Sequence, residues 1–365
     1  MDDYRILKNA LVDGSLTDVV VRAGKIISVG KTSTNGECID IGGNHLLPGL
    51  VDIHSHGCIG YDTMEASPQQ MAEMRRFMKK NGVTAWLPPT MTLPMSEIDR
   101  VTSQPLLDTG REGCDIPGFH MEGPYISRKY KGAQNEAYIK APSVEEFKAL
   151  DGIKMVTLAP ELEGSAEFID YCAKNGITVC LGHTDADFDC AEKAFSAGAS
   201  CLTHTFNAMP PLLHRAPGPI GAALVSDAYA QVICDGEHIH CAAVLALYRM
   251  FGAGRMILIS DSMQATGLGD GKYVFGGLDI TVKNGVARTE SGALAGSTTT
   301  LYGCVRKAIE FGIPARDAFR MASETPAALL GLKKGRIEIG YDSEFIVTDL
   351  EYNLIDTLVL KENQI

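Results

Sequence analysis

Seven residues able to bind a metal or move a proton, His54, His56, Glu122, His183, His204, His238 and Asp261, each fall at or just past the end of a short apolar run. Glu122, His183 and His204 together offer one carboxylate and two imidazoles, a ligand set suited to Zn²⁺ or Fe²⁺ with room left for water. Water on such an ion ionises at a pH of about 7 and can then attack an amide or ester carbonyl. Asp261 can take that proton and return it to a leaving amine, acting as general base and then general acid; its plainer role is to form a turn ahead of Ser262. His54-Ser55-His56 is an HxH motif, in which alternate residues project to one side and can grip a single ion. Whether one or two ions bind stays open at this point.

The segment from Thr203 to Pro211 and the following His214-Arg215-Ala216-Pro217-Gly218 supply backbone amides, the Asn207 carboxamide and a guanidinium. These groups suit a phosphate or a carboxylate, although Arg215 would be equally at home on a solvated surface. His120 reads as a core or supporting histidine, and His45 and His240 take no assignment. Gly267-Leu268-Gly269-Asp270-Gly271 lacks GxGxxG spacing and opens no obvious helix, which argues against a dinucleotide site.

Eight strand-length runs position these residues: Leu50 to Ile53, Thr84 to Leu87, Gly118 to Met121, Met155 to Leu158, Thr178 to Leu181, Ser200 to Thr203, Gln231 to Cys234 and Met256 to Ile259. Helical patterns lie between several of them. Ser67-Pro68 opens one that closes at Asn81-Gly82, and Ser165 opens another that stops at Asn175-Gly176. Eight strands alternating with helices predict an α/β fold of the (β/α)8 TIM-like barrel type rather than a doubly wound sheet. In such a barrel the carboxyl ends of the strands share one face, so residues two hundred positions apart meet in one pocket. After the eighth run, Tyr273-Val274-Phe275, Leu278 to Val282 and Val286-Ala287-Arg288, with a turn at Asn284-Gly285, read as a β-hairpin decoration on the barrel.

Both ends of the chain read differently from its middle. Thr17 to Val21 and Lys25 to Val29 form a hairpin about Ala23-Gly24, and Gly335 to Gly340 and Glu344 to Thr348 are expected to be short strands. The expected organisation is a small sheet domain assembled from residues 1–48 and 335–365 around a barrel of residues 49–334.

The 365 residues are 45% hydrophobic and 21% charged, ordinary globular usage that argues against disorder, collagen and coiled coil. With 33 Lys and Arg against 45 Asp and Glu the formal charge is −12, so the overall field repels nucleic acid and anionic membranes. An anionic ligand then needs a local basic site. The opening Met1-Asp2-Asp3-Tyr4-Arg5 lacks a signal-peptide pattern and no run reads as a membrane span. Ten cysteines without CxxC spacing fit a reduced set of thiols, so a cytoplasmic location is expected.

The motifs PGLVDIHSHG (48–57), GVTAWLPPTMT (82–92), GFHMEGPYIS (118–127), KGAQ (131–134), TLAPE (157–161), LGHTDA (181–186), THTFNAMPPLLHRAPG (203–218), DGEHIH (235–240), LISDSMQATGL (258–268), LAGSTTTL (294–301) and SETPAALLGL (323–332) run through nearly the whole chain. In this order they resemble the N-acetylglucosamine-6-phosphate deacetylase family of the amidohydrolase superfamily. The resemblance implies a metal-dependent barrel with a small β-sandwich built from both termini. It implies metal ligation by Glu122, His183 and His204, with His54 and His56 allowing a second ion, and Asp261 as catalytic acid and base. Substrate contacts are implied for Ala133, Gln134, Asn207, Ala208, Arg215, His238 and the Leu294-Ala295-Gly296 loop. Members differ between histidine and glutamine at the position of Gln134. Arg215 is implied to reach the phosphate in a neighbouring subunit's site, hence a homodimer.

The expected activity is hydrolysis of N-acetyl-D-glucosamine 6-phosphate to D-glucosamine 6-phosphate and acetate in amino-sugar catabolism, with one or two Zn²⁺ or Fe²⁺ ions per subunit. Two rivals stand beside it. One is another amidohydrolase acting on a different cyclic or N-acyl amide, which would not need a phosphate site. The other is a barrel without catalysis, against which the joint presence of Glu122, His183, His204 and Asp261 argues.

Overall fold

The computed structural model describes residues 4–32 and 35–361. Eight parallel strands carry the middle of the chain: β1 (Leu50–Asp52), β2 (Val83–Trp86), β3 (Phe119–Glu122), β4 (Ile153–Leu158), β5 (Thr178–Leu181), β6 (Cys201–Leu202), β7 (Tyr229–Ile233) and β8 (Met256–Ile259). Strands β3 to β8 pair in sequence order as one six-stranded ladder, and β1 pairs with β2. Hydrogen bonds cross both gaps between the two ladders. Thr90 N–H donates to the His120 carbonyl at 2.9 Å and His120 N–H to the Pro88 carbonyl at 3.0 Å. At the other gap Asp261 N–H donates to the His54 carbonyl at 2.8 Å, and the Ser260 hydroxyl to Asp52 Oδ2 at 2.6 Å. The eight strands therefore surround a common interior, and each expected strand is present with ends shifted by at most two residues.

Each strand is followed by a helix before the next, and the first shows why. Helix Pro68–Lys80 starts with a capping box, in which Ser67 Oγ accepts from Gln70 N–H and Gln70 Oε1 accepts from Ser67 N–H at 2.8 Å. Such a cap is worth about 1 kcal/mol. Lys79 and Lys80 lie in the last turn, where cations complement the helix dipole, and Asn81 ends the helix. Met71, Met74 and Met78, spaced at three and four, bury one face against the strands. Inside the ring, inward-facing Val51, Ile53, Ala85, Leu87, Met155, Cys180, Cys201, Ile233, Ile257 and Ile259 form a separate apolar core, as the two-residue alternation of strands requires.

Both ends of the chain build one seven-stranded sheet. Its order is Leu354–Val359, Glu344–Thr348, His45–Pro48, Arg5–Val12, Ser15–Arg22 and Lys25–Val29, with Glu37–Asp40 also paired to Arg5–Val12. Leu7, Ala10, Val19, Val21, Ile26, Ile41, Leu46, Phe345 and Val347 are its core. The chain passes from this sheet into β1 through Gly49, where a Cβ would lie 2.4 Å from the Thr84 side chain, so only glycine fits. Lys334 ties the sheet to the strands. Its ammonium lies 2.9 Å from Asp115, 3.1 Å from Asp342 and 2.6 Å from Glu344, and Lys361 also reaches Asp115.

One expectation for the terminal sheet needs correction, and one strand was missed. Gly335 to Gly340 is not a strand: Gly335 and Gly340 take φ of +77° and +88°, and the segment is spent in turns, with Gly340 N–H donating to the Ile26 carbonyl. The edge is instead Leu354–Val359, a strand that the mixed composition of that segment did not announce. Beyond β8 the decoration is a three-stranded antiparallel sheet of Gly271–Phe275, Leu278–Lys283 and Val286–Thr289. Among the described residues no helix is long and apolar enough to cross a membrane.

Candidate active site

The residues singled out above meet at the carboxyl ends of the strands. Glu122 is the last residue of β3; His54 follows β1 by two residues, as His183, His204 and Asp261 follow β5, β6 and β8. His183, His204 and Asp261 all adopt positive φ, at +47°, +27° and +46°. Such backbone costs about 1–3 kcal/mol per residue and is retained where a site needs it. The turn swings each side chain off the line of its strand and over the ring. Gly182 allows the close approach that results, since a Cβ there would lie 2.6 Å from Thr203 Cβ, and the rings of His183 and His204 stand 4.8 Å apart.

Four imidazole Nε2 atoms converge on Glu122. Those of His54, His183 and His204 lie 3.4, 3.3 and 3.2 Å from its Oε1, and that of His56 lies 3.2 Å from Oε2. Asp261 Oδ1 is 3.5 Å from both His54 and His56. Two candidate metal groups result, Glu122 with His183 and His204, and His54 with His56 and Asp261, all buried.

The hydrogen bonds test whether these groups suit a cation. His183 Nδ1 lies 2.8 Å from the Tyr130 carbonyl and His54 Nδ1 lies 3.2 Å from Gln231 Oε1. Both partners only accept, so Nδ1 carries the hydrogen and Nε2 presents its lone pair to the centre. His54 and His56 Nε2 then face each other at 3.3 Å, and His183 and His204 Nε2 at 3.1 Å. In each pair one nitrogen, of His54 or of His183, turns a lone pair to the centre, an arrangement that a cation between the two rings would satisfy. The electrostatics agree. Burial pulls the His54 imidazole down, but the charges of Glu122 and Asp261 carry it up to about 9. Burial works to raise the Glu122 carboxyl, and His54, His183 and His204 override it and hold it well below the usual range. A buried cluster that would rather hold an extra proton is one that a divalent cation satisfies.

Beneath this layer His120 is buried and neutral, held well below its usual value by burial first and then by His54. Its Nδ1 donates to the Ile53 carbonyl at 3.2 Å and its Nε2 accepts from Thr157 Oγ1 at 2.7 Å. It supports the ring of His54, 4.7 Å away and edge-on, which places it among supporting histidines. His45 stacks on Tyr352 in the terminal sheet, and His240 caps the helix Cys241–Phe251.

A cavity of about 290 Å³ opens over the cluster, small by the standard of ligand sites. Its walls include His56, Glu122, His183, His204 and Asp261, and of the expected substrate contacts Ala133, Gln134, Asn207, Ala208, His238, Leu294 and Gly296. Two expected contacts lie elsewhere in this chain. Ala295 is buried in the core and bonded to Ala287, and Arg215 is exposed outside the cavity, bonded to His214 at 2.7 Å. Gln134 is already engaged: its Oε1 accepts from Thr92 N–H at 2.7 Å and its Nε2 donates to Glu122 Oε2 at 2.9 Å. His238 Nδ1 lies 2.7 Å from Asp235 Oδ2; burial lowers the imidazole, and Asp235 outweighs it to give a net rise. Three features escaped the sequence. Met91 and Phe275 line the cavity, Phe275 edge-on to His56 at 5.1 Å, and Gln231 holds His54 from below. The one available signal was Gln231, a polar residue inside an otherwise apolar strand.

Comparison with known proteins agrees with this geometry. Residues 45–364 match the family model described as "Amidohydrolase family". The chain is 37% identical over 336 residues to the N-acetylglucosamine-6-phosphate deacetylase of Vibrio furnissii, covering 89% of this chain and 84% of that one. It is 35% identical to the N-acetylgalactosamine-6-phosphate deacetylase of Escherichia coli O157:H7, covering 87% and 84%. The crystal structure of N-acetylglucosamine-6-phosphate deacetylase from Pasteurella multocida superposes with a TM-score of 0.88 at 31% identity, over 98% of both chains.

Proposed function

The chain belongs to the amidohydrolase family, and from that premise we propose that it removes acetate from N-acetyl-D-glucosamine 6-phosphate in amino-sugar catabolism. Residues 49–334 are read as a metal-dependent (β/α)8 barrel and residues 1–48 and 335–365 as a β-sandwich. The terminal sheet and the bonds across both strand gaps support that division. The protein is read as a cytoplasmic homodimer in which Arg215 completes the phosphate site of the partner subunit. Its exposure outside its own chain's cavity supports that placement.

Glu122, His183 and His204 would hold one divalent ion, and His54, His56 and Asp261 a second. Zn²⁺ or Fe²⁺ held there lowers the pKa of water to near neutrality and polarises an acyl oxygen. The protein's own groups do the rest. Asp261 accepts one proton of the attacking water and passes it to the sugar nitrogen as the carbon–nitrogen bond breaks, so that a neutral amine and acetic acid leave, the acid then ionising to acetate in water. Gln134 keeps the Glu122 carboxylate in place through its Nε2 donor. His238, its positive form favoured by Asp235, suits an anionic or hydroxyl group of the sugar phosphate. The backbone about Asn207, Ala208 and Gly296 lines the same wall.

One observation carries this reading: the convergence of four imidazoles on Glu122 with Asp261 3.5 Å from two of them, at the floor of a cavity. The test is acetate release by metal-loaded protein from N-acetylglucosamine 6-phosphate, beside the unphosphorylated sugar. Release that needs the phosphate supports the reading. Equal use of both sugars moves the assignment to another N-acyl amide. The relative named N-acetylgalactosamine-6-phosphate deacetylase makes N-acetylgalactosamine 6-phosphate the natural third substrate to compare.

A further inference from the structure

The floor of the site contains a polar side chain that the reaction does not touch. Gln231 lies in β7, fully buried, and points inward as Ile233 does two residues on. Around it are Met155 and Cys180, whose sulfurs stand 4.0 and 3.7 Å from its Nε2 and are weak acceptors. Branched apolar residues are the usual filling of such a ring, and a carboxamide among them is costly to bury without strong partners. The strong side-chain partner of Gln231 is His54 Nδ1, at 3.2 Å.

That contact differs from those of the neighbouring imidazoles. His183 Nδ1 is served by a backbone carbonyl, which any residue at position 130 would supply, and His56 and His204 Nδ1 meet no protein partner among the described residues. Only for His54, among these four, does a side chain choose the tautomer. With Gln231 Oε1 accepting, the hydrogen sits on Nδ1. The Nε2 lone pair then faces His56 Nε2 at 3.3 Å, Glu122 Oε1 at 3.4 Å and Asp261 Oδ1 at 3.5 Å. With the amide reversed, Nε2 would carry the hydrogen and donate to a carboxylate instead of binding an ion, and Oε1 would be left against two sulfurs.

We infer that Gln231 is a positioning residue that holds His54 in its metal-binding tautomer and thereby sets the affinity of the second ion, at His54, His56 and Asp261. This deepens the metal reading above and rests on it. Outer partners of metal-binding histidines typically change affinity by about 10- to 100-fold when removed.

Metal-free protein titrated with Co²⁺, read by visible absorption and by bound metal per chain, tests the inference without reference to turnover. The wild type is expected to take two equivalents. In Gln231→Leu the first equivalent should bind as before and the second about 10- to 100-fold more weakly. Gln231→Glu, which keeps an acceptor oxygen, should bind the second near the wild-type affinity, a rescue that loss of packing alone would not give. Gln231→Met replaces the leucine variant if that chain does not fold. An unchanged second equivalent in the leucine or methionine variant, or its loss in the glutamate variant as well, overturns the role of Gln231 and leaves the metal reading standing. Fewer than two equivalents in the wild type overturns the second site together with the inference.

Discussion

Asp261→Asn removes the carboxylate that carries the proton while keeping the shape of the side chain and one oxygen for the second ion. The side chain is 11% exposed, and asparagine has its shape and keeps one acceptor oxygen. Position 261 has a φ of +46°, which asparagine tolerates better than most residues. The backbone bonds that fix the turn, Asp261 N–H to His54 and Ser297 N–H to the Asp261 carbonyl, do not involve the side chain. Folding stability should therefore change little. The Glu122, His183 and His204 group is untouched, so at least one metal ion per chain should remain. What disappears is the carboxylate that takes and returns the proton. General acid–base transfer contributes about 10²- to 10⁴-fold, equivalent to a barrier raised by about 3–5 kcal/mol. The assay is acetate release at saturating substrate, with bound metal and a thermal melt measured on the same preparation. Turnover within about tenfold of wild type, in protein that is folded and metal-loaded, would refute the proton-transfer role, because it falls below the range for such a step.

Two further substitutions test the surroundings. Asp235→Asn removes the group that raises His238, so its imidazole should become neutral at lower pH; KM for the phosphorylated sugar should rise most where the wild-type imidazole is still charged and the variant's is not, and less on either side, with kcat changed less. A KM increase independent of pH contradicts a charged His238. Lys334→Met leaves Asp115 to Lys361 and Asp342 to Lys25 but strands the buried Glu344 beside an apolar side chain, and breaking a buried ion pair from one side costs about 3–5 kcal/mol. Burial already raises Glu344, so in the variant its stranded carboxylate should protonate readily. The deficit should be largest in alkaline solution and shrink as pH falls, as urea unfolding across pH would show.

The strands were legible because each is a short apolar run between turn residues, and the chemistry because His54, Glu122, His183, His204 and Asp261 stand at or within two residues of strand ends, where a barrel collects them. Cys201–Leu202 shows how little ladder such a strand needs when its neighbours hold it. Features that depend on packing were hidden. Phe275 was read within a surface hairpin, and nothing local says that the hairpin folds back until the ring meets His56. Gln134 lines the cavity, but its partners, Glu122 and Thr92, are set by a loop closing over β3, which spacing does not encode. Gly335 to Gly340 carried two isoleucines at strand spacing, but the glycines at its ends commit it to turns.

The most direct measurement of the central claim is acetate release from N-acetylglucosamine 6-phosphate before and after chelation, with Zn²⁺ or Fe²⁺ restored afterwards. The account predicts rapid release, its loss on metal removal and its return on reloading, with little release from unphosphorylated N-acetylglucosamine. Release that survives complete metal removal, or no release from the phosphorylated sugar by fully loaded protein, would contradict it.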